Sequence, residues 1–312
     1  GDKRAAARLI SLVERGGEEA NEVLTQLWPR TGCAQVFGIT GPPGAGKSTL
    51  TNALAKHWRE AGLRVGIIAV DPTSPFSGGA ILGDRVRMSD LTLDPGVFIR
   101  SMGTRGQLGG LAPATAGAVH VLDACGYDLI IIETVGVGQS EVSVMEIADV
   151  VLVVNVPGLG DDVQAIKAGI LEIGDLFAVN KADRPGADRT ANELRTMLEL
   201  GDSEKRSLPV LLVSASQGTG VPELCAEMQR QYQRMEESGT LARRRSLRLR
   251  NELLTLIRDG IEQRLLRPLL DRPSFLQSLD QFQARKESPY DWAQKFIAQI
   301  DMGGCGYESV KG

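Results

Sequence analysis

Apolar residues recur along this chain with two different periods, and the changes from one period to the other sketch its elements. Near the start, Leu9, Leu12, Val13, Val23, Leu24 and Leu27 return every three or four positions on either side of Gly16-Gly17, which predicts two short helices ahead of Pro29. From Gln35 to about Met235 the pattern changes: short runs rich in Val, Ile and Leu at 36–40, 65–70, 97–100, 129–133, 150–156, 176–180 and 210–213 alternate with helical stretches. Continuous aliphatic runs suit strands buried on both faces, and their alternation with helices predicts βαβ units. The expected fold class is therefore α/β, with a mostly parallel sheet covered by helices on both faces. Beyond Gly239 the strand signal stops. Leu254, Ile257, Ile261 and Leu265 stand three or four apart, which marks an amphipathic helix; Pro268 and Pro273 punctuate it, and a second helical stretch follows at 290–300. The Gly303-Gly304-Cys305-Gly306 tail reads as loose. The resulting division is an N-terminal helical segment at 1–32, an α/β domain at 33–238, a C-terminal helical segment at 239–302 and a flexible tail at 303–312.

Length and composition narrow the class. A chain of 312 residues suits one α/β domain with added helices, and 42% apolar with 24% charged residues excludes wholesale disorder. Thirty-five basic against 39 acidic residues leave a net charge of −4, so no global field draws the chain to nucleic acid or to an anionic membrane. Cys33, Cys125, Cys225 and Cys305 form no C-x-x-C pair, which argues against a zinc knuckle or a disulfide framework and for a reducing compartment. No apolar run reaches the roughly 18 residues of a membrane span, and Gly1-Asp2-Lys3-Arg4 leads into no secretory core. A cytoplasmic location is expected, while an opening glycine leaves a removed targeting segment open.

The candidate chemistry clusters after the strand-like runs, where open parallel sheets bind their ligands. Gly41-Pro42-Pro43-Gly44-Ala45-Gly46-Lys47-Ser48 fits G-x-x-x-x-G-K-S/T, directly after the run at 36–40 and before a helical stretch starting at Thr49. In such a loop the glycines let backbone N–H groups close around a β-phosphate. Lys47 would reach the β/γ oxygens, and Ser48 would ligate Mg²⁺. Asn180-Lys181-Ala182-Asp183 follows the run at 176–179 in the form N-K-x-D. A carboxylate at Asp183 accepts hydrogen bonds from N1–H and the 2-amino group of guanine, and adenine offers neither donor, so the pattern selects GTP over ATP. Asn180 would brace its loop against the phosphate loop or the base, and the Lys181 stem would cover the base plane. Ser214-Ala215-Ser216, after the next run, stands where a backbone N–H can meet guanine O6.

Glu133 ends an aliphatic run and Gly136 follows three residues later, in a place where many GTPases have D-x-x-G. Glu133 can hold Mg²⁺ directly or through water, and the Gly136 N–H can reach the γ-phosphate, so this segment reads as a switch. Asp71 and Asp84, on either side of a glycine-containing stretch, can add to the magnesium shell. Lys47 is the catalytic candidate for charge stabilisation and Gln139 the candidate for orienting the attacking water. Arg85, Arg87, Arg100 and Arg105 could neutralise phosphate charge, and Arg243, Arg244, Arg245, Arg248 and Arg250 could face a partner or a phosphate-bearing cofactor, but a solvated surface and a solvated helix face are the favoured readings and no arginine is assigned a catalytic role.

Taken together, Gly41–Ser48, the stretch 71–88, the stretch 133–141, Asn155-Val156-Pro157-Gly158-Leu159-Gly160-Asp161-Asp162 and Asn180–Asp183 resemble the MeaB/MMAA (ArgK-type) P-loop GTPases. The similarity covers roughly residues 5–300. It implies a homodimeric G-protein metallochaperone that associates with an adenosylcobalamin-dependent acyl-CoA mutase, chiefly methylmalonyl-CoA mutase, and uses GTP to gate cofactor loading and to protect or reactivate the mutase. It further implies Mg²⁺ ligation by Ser48, Asp71, Asp84 and Glu133, a third switch at 155–162 facing the partner, and a dimerisation arm after Gly239. Periodicity alone leaves that arm equally free to pack on its own domain. The chain departs from the family at Asp291-Trp292, where small residues are favoured after Pro-Tyr. No tightly bound organic cofactor, nucleic acid or membrane is expected. The alternatives are a nickel-insertion GTPase of the HypB/UreG kind, which calls for Cys or His ligands, and a P-loop kinase or transport ATPase, against which Asp183 argues.

Overall fold

The seven aliphatic runs form seven parallel strands in the computed structural model, which describes residues 2–71, 89–103, 111–134, 146–158, 172–200 and 208–302. They are β1 (Gln35–Thr40), β2 (Val65–Asp71), β3 (Val97–Gly103), β4 (Leu129–Thr134), β5 (Val150–Asn155), β6 (Leu176–Val179) and β7 (Val210–Leu212), in the order β3-β2-β4-β1-β5-β6-β7. Every residue of β4 and β5 is buried, which is why these stretches read as unbroken rather than alternating runs. The described residues form two compact units, 1–252 and 253–312.

The first unit holds α1 (Lys3–Arg15), α2 (Glu18–Leu27), α3 (Lys47–Glu60), α4 (Ser89–Thr92), α5 (Leu111–Ala124), α6 (Ala187–Leu200), α7 (Val221–Glu237) and the start of α8 (Thr240–Ile261). Successive strand residues feed opposite cores. Phe37, Ile39, Ile67, Ile131, Leu152 and Val154 pack with Leu50, Leu54 and Trp58 of α3 and with Leu224 and Met228 of α7. Val36, Ile130, Ile132, Val151 and Val153 pack with Ile10 and Val13 of α1 and with Val119 and Leu122 of α5. Asp2 caps α1 by accepting from the Arg4 N–H at 2.8 Å.

Three strands share one device at their amino ends. Asp128, Asp149 and Asp175 immediately precede β4, β5 and β6, and each carboxylate accepts a backbone N–H from the strand beside it or its approach: Arg64 at 2.7 Å, Val36 at 3.1 Å and Val151 at 2.8 Å. Two of these carboxylates are clamped by arginines of α8. Arg244 grips Asp175 with both terminal nitrogens, at 2.7 and 2.9 Å, and Arg245 grips Asp149 at 2.6 and 2.9 Å. Arg248 stands 3.5 Å from Asp149 and donates to the Ile147 carbonyl. The expectation of a solvated arginine face is thus corrected for Arg244, Arg245 and Arg248, because buried strand-end carboxylates need cationic partners; Arg243 and Arg250 are exposed. Arg100, also expected in solvent, pairs with Glu14 and donates to Ser11 Oγ at 3.0 Å. Arg85, Arg87 and Arg105 lie outside the described residues.

In the second unit a π-helical turn (Glu262–Leu266) is followed by α9 (Arg267–Leu270), α10 (Pro273–Gln283) and α11 (Pro289–Met302). Pro273, read from sequence as punctuation, opens α10 at its first position, where a missing N–H breaks no helical bond. Trp292 packs among Phe275, Phe282 and Phe296, with ring centroids 5.6, 6.3 and 5.5 Å away, so this bulky residue serves as the centre of an aromatic cluster. No helix among the described residues is long and apolar enough to cross a membrane. The tail at 303–312 lies outside them.

Candidate functional site

The chain leaves β1 at Thr40 and must turn at once to enter α3, and glycine makes that turn possible. Gly41 has φ 143°, and a Cβ there would stand 2.0 Å from the Val154 carbonyl oxygen, so only hydrogen fits. Gly46, at φ 80°, is equally constrained, since its Cβ would meet Asn180 Nδ2 at 2.6 Å. Ala45 N–H closes the loop on the Pro42 carbonyl at 3.2 Å, and the Leu50 N–H bond to Gly46 at 2.9 Å begins the helix. Lys47, 5% exposed, donates from Nζ to the carbonyls of Gly41 at 2.7 Å and Pro42 at 3.1 Å. An ammonium group over the loop and the positive end of α3 below it form an anion site.

On the other flank, Ser48 Oγ donates to Glu133 Oε1 at 2.6 Å. Glu133 is buried near the end of β4, level with Ile39 of β1 and Ala69 of β2. A hydroxyl and a carboxylate oxygen side by side at the mouth of a phosphate site are the hard donor set Mg²⁺ takes, so these two residues fit that ion. Asp71 is the last residue of β2, beside Gly103 of β3. Asp84, Gly136 and Gln139 lie outside the described residues, as does the part of the expected third switch from Leu159 onward.

The Asn180–Asp183 loop is tied to the Gly41–Ser48 loop by side chains. Asn180 receives its backbone position from an N–H bond to the Asn155 carbonyl at 2.7 Å. Its Nδ2 donates to the carbonyls of Ala45 at 2.8 Å and Gly46 at 3.4 Å, while its Oδ1 accepts from the Ala215 N–H at 3.0 Å. Of the two braces considered from sequence, the structure therefore uses the phosphate loop. Lys181, in the left-handed region at φ 58°, donates from Nζ to the Gly44 carbonyl at 2.7 Å. Asp183 Oδ1 accepts from Ser214 Oγ at 2.5 Å, and that hydrogen bond, followed by one from its own backbone N–H, holds its carboxyl below the usual range. Ser214 and Thr219 form a β-bridge that closes the following loop, and Ser216 Oγ lies 3.4 Å from Ser214 Oγ. The Ala215 N–H, one of the candidate donors for guanine O6, is engaged by Asn180. Sequence reasoning treated Ser214 as a backbone donor and missed its hydroxyl as the partner that orients Asp183; a serine at the first position past the β7 run was the available signal.

Gly41–Ser48, Glu133, Asn180, Lys181, Asp183 and Ser214–Ser216 thus meet at the carboxyl ends of β1, β4, β6 and β7. Residues 6–268 match the family described as methylmalonyl-CoA mutase-associated GTPase MeaB. The chain belongs to that family. A provisionally named GTPase of Pyrococcus abyssi is 49% identical over 99% of this chain and 96% of its own length. The mouse protein named methylmalonic aciduria type A homolog, mitochondrial, is 39% identical over 72% of this chain and 55% of its own. Among solved structures, an LAO/AO transport system kinase superposes with a TM-score of 0.68 at 25% identity, covering 96% of this chain and 94% of that one. As a MeaB-family member the chain is a P-loop GTPase, and its seven-stranded parallel sheet is the fold of that neighbour.

Proposed function

We propose that this MeaB-family GTPase is a homodimeric metallochaperone that gates adenosylcobalamin loading into an acyl-CoA mutase of the methylmalonyl-CoA mutase type, and protects or reactivates that mutase in the cytoplasm. The observation that carries the choice of nucleotide is Asp183, a carboxylate kept ionised by Ser214 on a loop that Asn180 and Lys181 fasten to the phosphate loop. The family description and the name of the mouse relative support the mutase as partner. Support for the dimer comes from the row Leu253, Leu254, Leu256, Ile257, Ile261, Leu265 and Leu266, all exposed leucines and isoleucines within the second unit.

In this reading the backbone N–H groups of 41–46 surround the β-phosphate, Thr49 adds to the phosphate contacts at the first turn of α3, and Lys47 bridges the β/γ oxygens. Its ammonium meets the negative charge that grows on the bridging oxygen as the bond to the γ-phosphorus breaks. A water molecule attacks the γ-phosphorus in line, its oxygen forming the new P–O bond, and GDP leaves with the electrons of the old one; inorganic phosphate carries off the water's oxygen. Gly136 would hold a γ-phosphate oxygen and Gln139 the attacking water. Ser48 and Glu133, joined by Asp71 and Asp84, would hold Mg²⁺, which when bound neutralises charge on the β/γ oxygens. Turnover by the protein alone should be slow and rise when a partner orders the site.

The test is GTP hydrolysis by the purified protein with Mg²⁺, alone and with a cobalamin-dependent mutase from the same source, with ATP as control. GTP-selective turnover accelerated by the mutase supports the proposal. Turnover unchanged by the mutase refutes the partnership, and equal use of ATP refutes the role of Asp183.

A further inference from the structure

Two buried oxygens on the metal side of the site have no hydrogen-bond partner among the described residues: Asn52 Oδ1 and Ser101 Oγ. Asn52 comes one turn after Ser48 on α3, so both lie on one stripe of that helix. The same stripe continues to Lys56, paired with Asp90 of α4 at 2.8 Å, and to Arg59, paired with Asp94 at 3.0 Å just before β3. It therefore faces the β2–β3 side of the sheet.

The strand register places Ser101 on the same level as the magnesium ligand. Ser101 of β3 pairs with Ala69 of β2, and Ala69 pairs with Glu133 of β4. Two residues earlier on each strand, Ile67 and Ile131 belong to the core against α3 and the partly buried Ile99 packs against it, so Ser101, Ala69 and Glu133 share that face. The rung spans two strand spacings, about 10 Å, and its central side chain is a methyl group. A hydroxyl and a carboxylate therefore stand on one face at one level, with only the methyl group of Ala69 between them, on the side to which the helix stripe of Asn52 turns. Buried oxygens without a partner are destabilising unless water satisfies them, and a buried water needs two to four polar neighbours. Asn52, Ser101 and Glu133 are three polar groups on this side of the site.

We propose that Asn52 and Ser101 are positioning residues for magnesium: together they hold an ordered water against Glu133, which keeps its carboxylate turned toward Ser48. The proposal rests on reading Ser48 and Glu133 as magnesium ligands. Groups behind a metal ligand typically change metal affinity by about 10-fold or more when removed.

The experiment follows release of a fluorescent GDP analogue from the full chain across a MgCl₂ titration, with EDTA as the metal-free reference. The wild-type protein must release more slowly as Mg²⁺ rises; if it does not, the reading of Ser48 and Glu133 fails independently of this proposal. Given that dependence, Ser101→Ala and Asn52→Leu should each raise the half-saturating Mg²⁺ concentration by about 10-fold while leaving release in EDTA unchanged, and Ser101→Thr should restore the wild-type value. Nucleotide-free Ser101→Ala should melt no lower than wild type, since it removes a hydroxyl with no direct partner. If Asn52→Leu does not fold, Ser101→Ala decides. An unchanged Mg²⁺ midpoint, or faster release in EDTA as well, overturns the proposal.

Discussion

Replacing Arg245 with alanine should destabilise the first unit far more than replacing the arginine two positions before it. Asp149, 0% exposed in its side chain, is held by Arg245 through two bonds of 2.6 and 2.9 Å. The same guanidinium donates to the carbonyls of Gly32 and Ala34 at 3.2 Å each, so it also pins the approach to β1. Hydrogen bonding to Asp149, its largest influence, raises the Arg245 pKa, and the group stays charged at every accessible pH. Alanine leaves the buried carboxylate with the Val36 N–H at 3.1 Å and Arg248 at 3.5 Å. Removing one member of a buried pair costs about 3–5 kcal/mol, and the two remaining partners put the expected loss at the lower end, about 3 kcal/mol. For a unit of this size, that corresponds to a melting temperature lower by about 6–12 °C. Urea and thermal unfolding of the nucleotide-free protein at pH 7, followed by circular dichroism, would measure it, with Arg243→Ala and Arg250→Ala expected within about 0.5 kcal/mol of wild type. Adding Asp149→Asn to Arg245→Ala should recover part of the loss, because the orphaned charge is gone. An Arg245→Ala protein as stable as Arg243→Ala would refute the clamp.

Gly41→Ala should lose nucleotide binding and at least about 2 kcal/mol of stability, because its Cβ would collide with a strand carbonyl, whereas Gly62→Ala, at φ 83° with open space around it, should keep binding intact in the same fluorescent-GDP assay. Asp183 is held below the ordinary carboxylate range, so guanine affinity should stay level at neutral pH and fall as pH drops through its folded-state value. Ser214→Ala removes the main cause of that depression and should move the fall to higher pH; an acid limb that stays in place would show that Ser214 does not set it. Burial pushes the Cys225 thiol up to about 12, whereas Cys33 is exposed. Alkylation at pH 8, mapped by peptide mass spectrometry, should therefore label Cys33 in the folded protein and Cys225 only after unfolding.

Much of the fold was legible because it is written at short range. The seven strands fall where aliphatic runs predicted them, since a strand covered on both faces has no room for polar alternation. The candidate phosphate loop and the candidate base loop were legible for a related reason: Gly41, Lys47, Asn180 and Asp183 are marked by local spacing after a strand. Pro273 marked a boundary without revealing the helix it opens, because the same missing N–H that ends one helix suits the first position of the next.

The residues on this chain thus marked by themselves which runs are strands, and they pointed to candidate loops for a triphosphate and its base. Tertiary structure alone decided which side chains complete those features. Arg245 and Asp149 are 96 positions apart, Ser48 and Glu133 85, and Asn180 and Ala45 135. Those pairings depend on the strand order, in which β4 and β5 flank β1 while β6 lies beyond β5, and on α8 reaching the amino ends of β5 and β6. Periodicity reports how a residue relates to its neighbours three or four positions away, whereas a buried charge is satisfied by whatever the topology brings beside it.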